Sequence, residues 1–302
     1  MFFKKKASVI PAKSKVLVPL YIYPSPGAWG RLLQSISTYP GLEFIVVVNP
    51  HNGPGQLLDS NYRREIQTLN SYPNVTVVGY VSTAYATRQY SSVLEDVTTY
   101  ATWRLEDAGL GVRGIFFDET PSQWSASNAS FLAGINAAVK GNSGLGAEPL
   151  VIHNPGTIPH KKLISGPCLP DINVVFEATH KTYRENACEK ALTDLKMDPG
   201  RLACLMHSVP DSLMSTHSDV VSETQKLRSI VGTLYITSQA TELYTDLGSI
   251  GNNSSMLLVS KDLEQESHFI YFFLGGAWDC VGVQLSGSMS CFDVGFHGSI
   301  RK

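Results

Sequence analysis

The stretch Arg113–Glu119 reads RGIFFDE: a glycine, three large apolar residues in succession, then two carboxylates. A run that is apolar at every position fits a strand buried on both faces, as in a parallel sheet, better than a strand with one wet face. Carboxylates that close such a run lose water and need either a partner or a task. Seven further runs of similar make begin at Lys15 (KVLVPLYIY), Glu43 (EFIVVVNP), Val75 (VTVVGYVS), Pro149 (PLVIHNP), Ile172 (INVVFEAT), Arg201 (RLACLMHS) and Val231 (VGTLYIT). Successive starts lie 23 to 38 residues apart, which is the length of a strand plus its crossover.

The segments between the runs carry helical patterns. Val93, Val97, Ala101 and Leu105 form a stripe four residues apart, as do Ala187, Ala191 and Leu195, and Val220, Thr224, Leu227 and Val231 lead into the last run. Ser122 and Asp211 suit helix N-caps. The connection from His160 to Asp171 is too short and proline-rich for a full helix. Eight strand–helix units predict an α/β fold of the (β/α)8 TIM-barrel type over residues 15–251. An open doubly wound sheet is the alternative, weakened by even spacing and by the lack of a G-x-G-x-x-G turn after the first run. Residues 1–14 read as an N-terminal extension and 252–302 as a tail of different character, whose FIYFFLGG run is too short for a bilayer-spanning helix.

Composition narrows the function. Lys+Arg 24 against Asp+Glu 26, with no sustained basic run, argues against a nucleic-acid partner. Five cysteines without C-x-x-C spacing give neither a zinc site nor a disulfide framework, although Cys168 and Cys188 could pair; Cys204 reads as a buried small apolar residue. No cofactor or metal is expected: the Asn49–Gly55 loop lacks the Lys-Ser/Thr of a phosphate loop, no nucleophile elbow occurs, and His51, His153 and His207, the candidate metal ligands, have no H-x-H at the end of the first run to join them. The first residues lack the apolar core of a signal peptide. Asn74, Asn128, Asn252 and Asn253 open glycosylation sequons.

A barrel of this type carries its site at the C-terminal ends of its strands. The polar residues there are Tyr21 and Tyr23, Asn49 and His51, Tyr80 and Ser82, Asp118 and Glu119, His153 and Asn154, Glu177, His207 and Ser208, and Tyr235 and Thr237. Two carboxylates approaching a pocket from alternate strands are what glycosidic cleavage needs, one to protonate the leaving oxygen and one to attack carbon or activate water. Asp118 and Glu177 are that pair, with Glu119 adjacent. Tyr85 and Trp124, just past strand ends, join the tyrosines as faces for the C–H surface of a sugar. Trp103, inside a helical stripe, reads as core. The expected substrate contacts are Tyr21, Tyr23, Asn49, His51, Tyr80, Tyr85, Arg88, Trp124, Asn154, His207 and Tyr235.

At VPLYIYPSPGAW (Val18–Trp29), VVNPHNGPG (Val47–Gly55), GYVSTAYATR (Gly79–Arg88), GIFFDETP (Gly114–Pro121), HNPGT (His153–Thr157) and VFEATH (Val175–His180) the chain resembles the spherulin-4-like family of fungal and microbial proteins. That resemblance implies a (β/α)8 glycoside hydrolase acting on galactosaminogalactan, an exopolysaccharide of galactose and N-acetylgalactosamine. It implies an endo-α-1,4-N-acetylgalactosaminidase whose acidic triad falls on Asp118, Glu119 and Glu177. It further implies an extracellular or cell-surface setting and a polysaccharide partner; the chain itself shows no segment for stable membrane insertion, and its oligomeric state stays open, with a monomer expected. The acetamido group of an α-linked galacto-configured sugar is not trans to the leaving group, so the enzyme must supply its own nucleophile or activate water. By analogy with α-galactosidase barrels, Asp118 is the expected nucleophile and Glu177 the acid/base. Two other functions fit the same residues: a non-catalytic carbohydrate-binding barrel, and a hydrolase of deacetylated α-1,4-galactosamine.

Overall fold

A computed structural model of the chain describes residues 15–165, 169–186, 188–214, 224, 226–241, 244, 254–259 and 269–274. Its first eight strands are β1 (Lys15–Leu20), β2 (Glu43–Val48), β3 (Val75–Ser82), β4 (Gly114–Asp118), β5 (Leu150–Asn154), β6 (Ile172–Thr179), β7 (Leu202–His207) and β8 (Thr233–Thr237). Each pairs in parallel with the next, and β1 also pairs in parallel with β8 through Lys15↔Thr233 and Val16↔Leu234. The sheet therefore closes on itself as an eight-stranded parallel barrel, which removes the edges an open sheet would leave.

Helices α1 (Gly30–Thr38), α2 (Ser60–Asn70), α3 (Tyr90–Glu106), α4 (Ala126–Lys140), α5 (His180–Glu185), α6 (Cys188–Asp194) and α7 (Asp211–Met214) fill the crossovers, with helical backbone again at 226–230. Val93, Val97, Ala101 and Trp103 of α3 are buried, but Leu105 is 80% exposed, because the sheet-facing stripe has rotated away by the last turn. Ser125, not Ser122, caps α4 by accepting from the Asn128 N–H. Between β5 and β6 a 3₁₀ turn at Lys161–Leu163 replaces a helix, in keeping with the short connection. A Cβ at Gly79 of β3 would lie 2.6 Å from the Tyr100 ring, so the glycine lets α3 seat that ring on the sheet, where its hydroxyl donates to Val48 O at 3.2 Å.

Two further strands lie in the sequence tail, β9 (Ser254–Val259) and β10 (Phe269–Leu274), which pair antiparallel with each other. β9 pairs antiparallel with the end of β8 at Ile236 and Thr237. The FIYFF run is thus strand, and among the described residues no helix is long and apolar enough to cross a membrane. The rest of the tail, residues 1–14, Ala187 and Val220 of the helical stripes, Cys168 and the sequons at Asn252 and Asn253 lie outside the described residues. Asn74 is no open glycosylation site: its amide donates to Ile36 O, Tyr39 O and Leu42 O at 3.1–3.3 Å, pinning the end of α1. Cys204 is fully buried.

Candidate active site

The barrel mouth is organised around one side-chain amide. Asn154 ends β5, and its Nδ2 donates to Asp118 Oδ1 at 2.8 Å and to Glu177 Oε2 at 2.6 Å. Its Oδ1 accepts from the Gly156 N–H at 2.9 Å, which fixes which way the amide points. Asp118 and Asn154 are register partners on neighbouring strands, so their side chains leave the sheet on the same side.

Glu177 reaches the same amide by an irregularity. The β6–β7 register shifts between Val174 and Phe176, a β-bulge. Val174 packs in the cluster that holds Ala203, Leu205 and Tyr235, whereas Val175 and Phe176 both pack outward against Tyr183, Leu192 and Leu227 of the helical layer. Strict alternation from Val174 would send Glu177 outward. Two successive outward residues restore the opposite phase and turn Glu177 into the barrel opposite Leu205.

Each carboxyl also meets a phenol. Tyr80 Oη donates to Asp118 Oδ2 at 2.9 Å, and the Glu119 N–H donates to Asp118 Oδ1 at 2.9 Å. Tyr244 Oη donates to Glu177 Oε1 at 2.5 Å. Tyr21 sets its ring edge-on to both phenols, at 5.3 Å from Tyr80 and 5.4 Å from Tyr244, while Tyr235 tilts against Tyr244 at 5.9 Å. Burial raises Asp118 from the ordinary carboxylate range to about 6, with Glu177's charge as the second cause; the donors from Tyr80, Glu119 and Asn154 oppose the rise. Burial, then the neighbouring carboxylates, push the phenols of Tyr80 and Tyr244 well up, so both stay protonated donors at neutral pH.

Glu119 has a different position. Its backbone is left-handed (φ 52°), its carboxylate accepts from Ser82 Oγ at 2.6 Å, and its carbonyl accepts from Thr83 Oγ1 at 2.7 Å and the Tyr85 N–H at 2.6 Å. Ala84, Tyr85 and Ala86 are left-handed as well (φ 46°, 56° and 63°), and Tyr85 is 61% exposed. Strained backbone in non-glycine residues collects at functional sites and persists only where surroundings hold it.

The other expected contacts divide. His207 lies near enough to feel Glu177's charge, which works against the lowering that burial imposes on its imidazole; its Nδ1 pairs with Ser208 Oγ at 2.9 Å. Arg88 is committed to Ser82 O and, at 2.7 Å, to Asp96. Asn49 spends its Oδ1 on the Gly53 N–H in its own loop, and His51 is exposed. Tyr23 is half exposed and accepts from Asn61 Nδ2 at 2.9 Å. Trp124 is also partly exposed, with Lys162 Nζ 4.1 Å from its ring centroid. These last four sit on the loops and make no described bond to the carboxyls. His153, one residue before the inward Asn154, faces the helical layer, with Nε2 2.7 Å from Asn136 Oδ1 of α4, and burial pushes it down to about 3, so it is neutral. Among the described residues no group of three or more His, Cys, Asp or Glu is arranged to hold a metal ion.

Asn154, expected as a substrate contact, is the bridge between the two carboxyls. Tyr244 is not among the expected residues, because a lone tyrosine beyond β8 carries no periodic signal; only the rule that barrel sites draw on every loop of this face points toward it.

Residues 15–254 match the family described as Spherulin4, spherulation-specific family 4. Over 173 residues the chain is 33% identical to spherulin-4 of Physarum polycephalum; the match takes in 57% of this chain and 47% of that one, about half the length of that relative. Among solved structures, Aspergillus clavatus Sph3, crystallised in complex with GalNAc, is similar over 78% of this chain and 94% of its own, with 43% identity and a TM-score of 0.74.

Proposed function

The chain belongs to spherulation-specific family 4, and from that premise we propose that it is a glycoside hydrolase cutting α-1,4-linked N-acetylgalactosamine within galactosaminogalactan, with retention of configuration. The observation that carries this reading is the Asn154 bridge. One nitrogen bonded at 2.8 and 2.6 Å keeps the facing oxygens of Asp118 and Glu177 no further apart than those two bonds end to end. That favours the roughly 5–5.5 Å of a retaining pair over the roughly 6.5–9.5 Å that an inverting pair keeps for a water. The Sph3 complex with GalNAc supports the sugar class.

Glu177 gives its proton to the glycosidic oxygen while the Asp118 carboxylate attacks the anomeric carbon, releasing one chain end and forming a glycosyl ester. Glu177 then takes a proton from water, the water attacks the same carbon, and Asp118 leaves as carboxylate. Asp118 suits the ionised role through its three donors. Of the two causes that raise it, Glu177's charge disappears once Glu177 carries the proton. Tyr21, Tyr80 and Tyr235 form the inner wall for the sugar, with Tyr23, Tyr85 and Trp124 further out along an extended chain. Barrel residues 15–251 are the catalytic unit, in an extracellular or cell-surface setting.

The hydrogen bonds described to Asp118, Glu119 and Glu177 come from neutral donors. That favours a second reading in which the sugar brings the positive charge, as partly deacetylated galactosamine does. Incubation with purified acetylated and deacetylated polymer, followed by NMR of the first anomer released and mass analysis, tests both. An α-anomer from the acetylated polymer is expected; a β-anomer overturns retention, and no product from either polymer leaves only a binding role.

A further inference from the structure

We infer that Tyr244 is the positioning residue of Glu177, and that its hydroxyl selects Oε1 as the oxygen on which Glu177 carries its catalytic proton. The inference rests on the glycosidase reading and deepens it.

A protonated carboxyl keeps one good acceptor, its carbonyl oxygen, and needs an acceptor for its new O–H. Glu177 Oε2 faces Asn154 Nδ2, and an amide nitrogen only donates. That amide cannot turn over without abandoning the Gly156 N–H on its other end. A proton placed on Oε2 would therefore cost the amide its acceptor. Oε1 faces the Tyr244 hydroxyl at 2.5 Å. A hydroxyl both donates and accepts, and it changes from one to the other by rotating its hydrogen, without moving a heavy atom. Glu177 thus keeps a partner on each oxygen in both protonation states, provided the proton sits on Oε1.

Tyr244 is itself held. Its carbonyl accepts from the Tyr21 N–H at 2.9 Å, and its ring packs between Tyr21 and Tyr235. Tyr244 is thereby tied to the end of β1, and its phenol meets the Glu177 oxygen that Asn154 does not. The titratable groups facing this pair are Asp118 from β4, Tyr80 from β3, Tyr21 from β1, His207 from β7 and Tyr235 from β8.

The test uses the full chain and purified galactosaminogalactan, comparing wild type, Tyr244→Phe and the chain carrying 3-fluorotyrosine at position 244. In Tyr244→Phe, kcat is expected to fall about 10- to 100-fold with KM within about threefold, as for loss of an interaction that matters in the transition state. Its alkaline pH limb should move to higher pH, since the ionised acid loses a donor. Fluorotyrosine is a stronger donor of nearly the same shape, so its alkaline limb should move to lower pH. This arm remains decisive if the phenylalanine variant folds poorly by thermal melt. Unmoved limbs in both variants, or a loss confined to KM, overturn the inference while leaving the glycosidase reading intact. If the wild type cuts no polymer at any pH, the glycosidase reading falls and the inference falls with it.

Discussion

The end of β4 and the end of β6 each bring one carboxyl to Asn154, and they do so by different means. At β4 the Asp118 carboxyl takes side-chain donors from Tyr80 and Asn154, and the turn adds a hold of its own that includes a backbone N–H on that carboxyl. Thr83 and Tyr85 donate to the carbonyls of Asp118 and Glu119, the Glu119 N–H returns to Asp118 Oδ1, and four left-handed non-glycine residues lie in the two facing loops. Each such residue costs on the order of 1–2 kcal/mol, so this turn exists only because the clamp outweighs it. At β6 the backbone contributes a bulge, and the aim of Glu177 then depends on side chains, Asn154 on one oxygen and Tyr244 on the other. Changes in side chains alone should therefore disturb Glu177 more than Asp118.

The largest effect should come from removing either charge. Asp118→Asn and Glu177→Gln are each expected to lower turnover of the polymer by about 10³-fold or more, with thermal melts close to wild type, because both changes are nearly isosteric. Reducing-end release measures this. Activity above a tenth of wild type in either variant would break the pairing of the two strand ends.

The bulge gives the next test. Deleting Val175 removes the extra residue: plain alternation from Val174 then keeps Phe176 outward and Glu177 in the barrel, so the carboxyl keeps its face without the bulge. Activity should stay within about tenfold of wild type, with some loss of stability from the missing Val175 contacts. A deletion variant that folds by circular dichroism yet is as inactive as Glu177→Gln would show that the bend of the bulge, and not the face it selects, aims Glu177.

This contrast also explains what the sequence could and could not reveal. Eight doubly buried runs at even crossover spacing point to a barrel, because apolar patterning is a local property; closure itself is the β1–β8 pairing, which no single run displays. Asp118 at the end of IFF was legible for the same reason. Glu177 was placed at the right strand end, but VVFE looks like uninterrupted alternation, and a bulge is a relation between two strands that one strand does not display. Ser122 and Ser125 are equally good caps in sequence, and chain geometry decided for Ser125. Arg88 reads as a substrate contact until Asp96, eight residues on, is seen to hold it. Asn154 and Tyr244 needed the third dimension entirely, since their roles consist of two bonds each to groups remote in the chain.

A smaller and more graded effect is expected from pH. Asp118 titrates about 6 in the folded chain, against about 3.9 when unfolded. Between those values the folded state binds more protons, so this group's contribution to stability falls as pH rises from about 4 to about 6 and is level outside that window. The fall is at most about 3 kcal/mol, and less to the extent that solvent reaches the rim. Asp118→Asn should remove this slope. Glu177→Gln should reduce it, because the second cause of the rise is Glu177's charge. Urea unfolding of the three proteins at pH 4 and pH 6.5 measures the differences. An identical slope in all three would mean that the two carboxyls do not sense each other, contrary to their shared amide.

The smallest effect should come from the clamp at β4. Thr83 is fully buried, and its hydroxyl reaches Asp118 O at 3.1 Å and Glu119 O at 2.7 Å. Thr83→Val keeps the shape and removes that donor. Both carbonyls keep another partner, Asp118 O the Thr83 N–H and Glu119 O the Tyr85 N–H, so neither is orphaned and the cost should stay near 1 kcal/mol. Thr83→Ser keeps the hydroxyl and should recover most of it. Activity should fall by no more than about tenfold in Thr83→Val, since a redundant backbone clamp loosens the turn without removing a reacting group. Denaturant unfolding and kcat/KM, measured together, decide the matter. A loss as deep as that of Asp118→Asn would mean that the β4 end hangs on one side chain, as the β6 end hangs on Tyr244 and Asn154, and the distinction between the two strand ends would collapse. No loss at all would carry the distinction further, leaving the main-chain bonds alone to hold Glu119 in its left-handed turn.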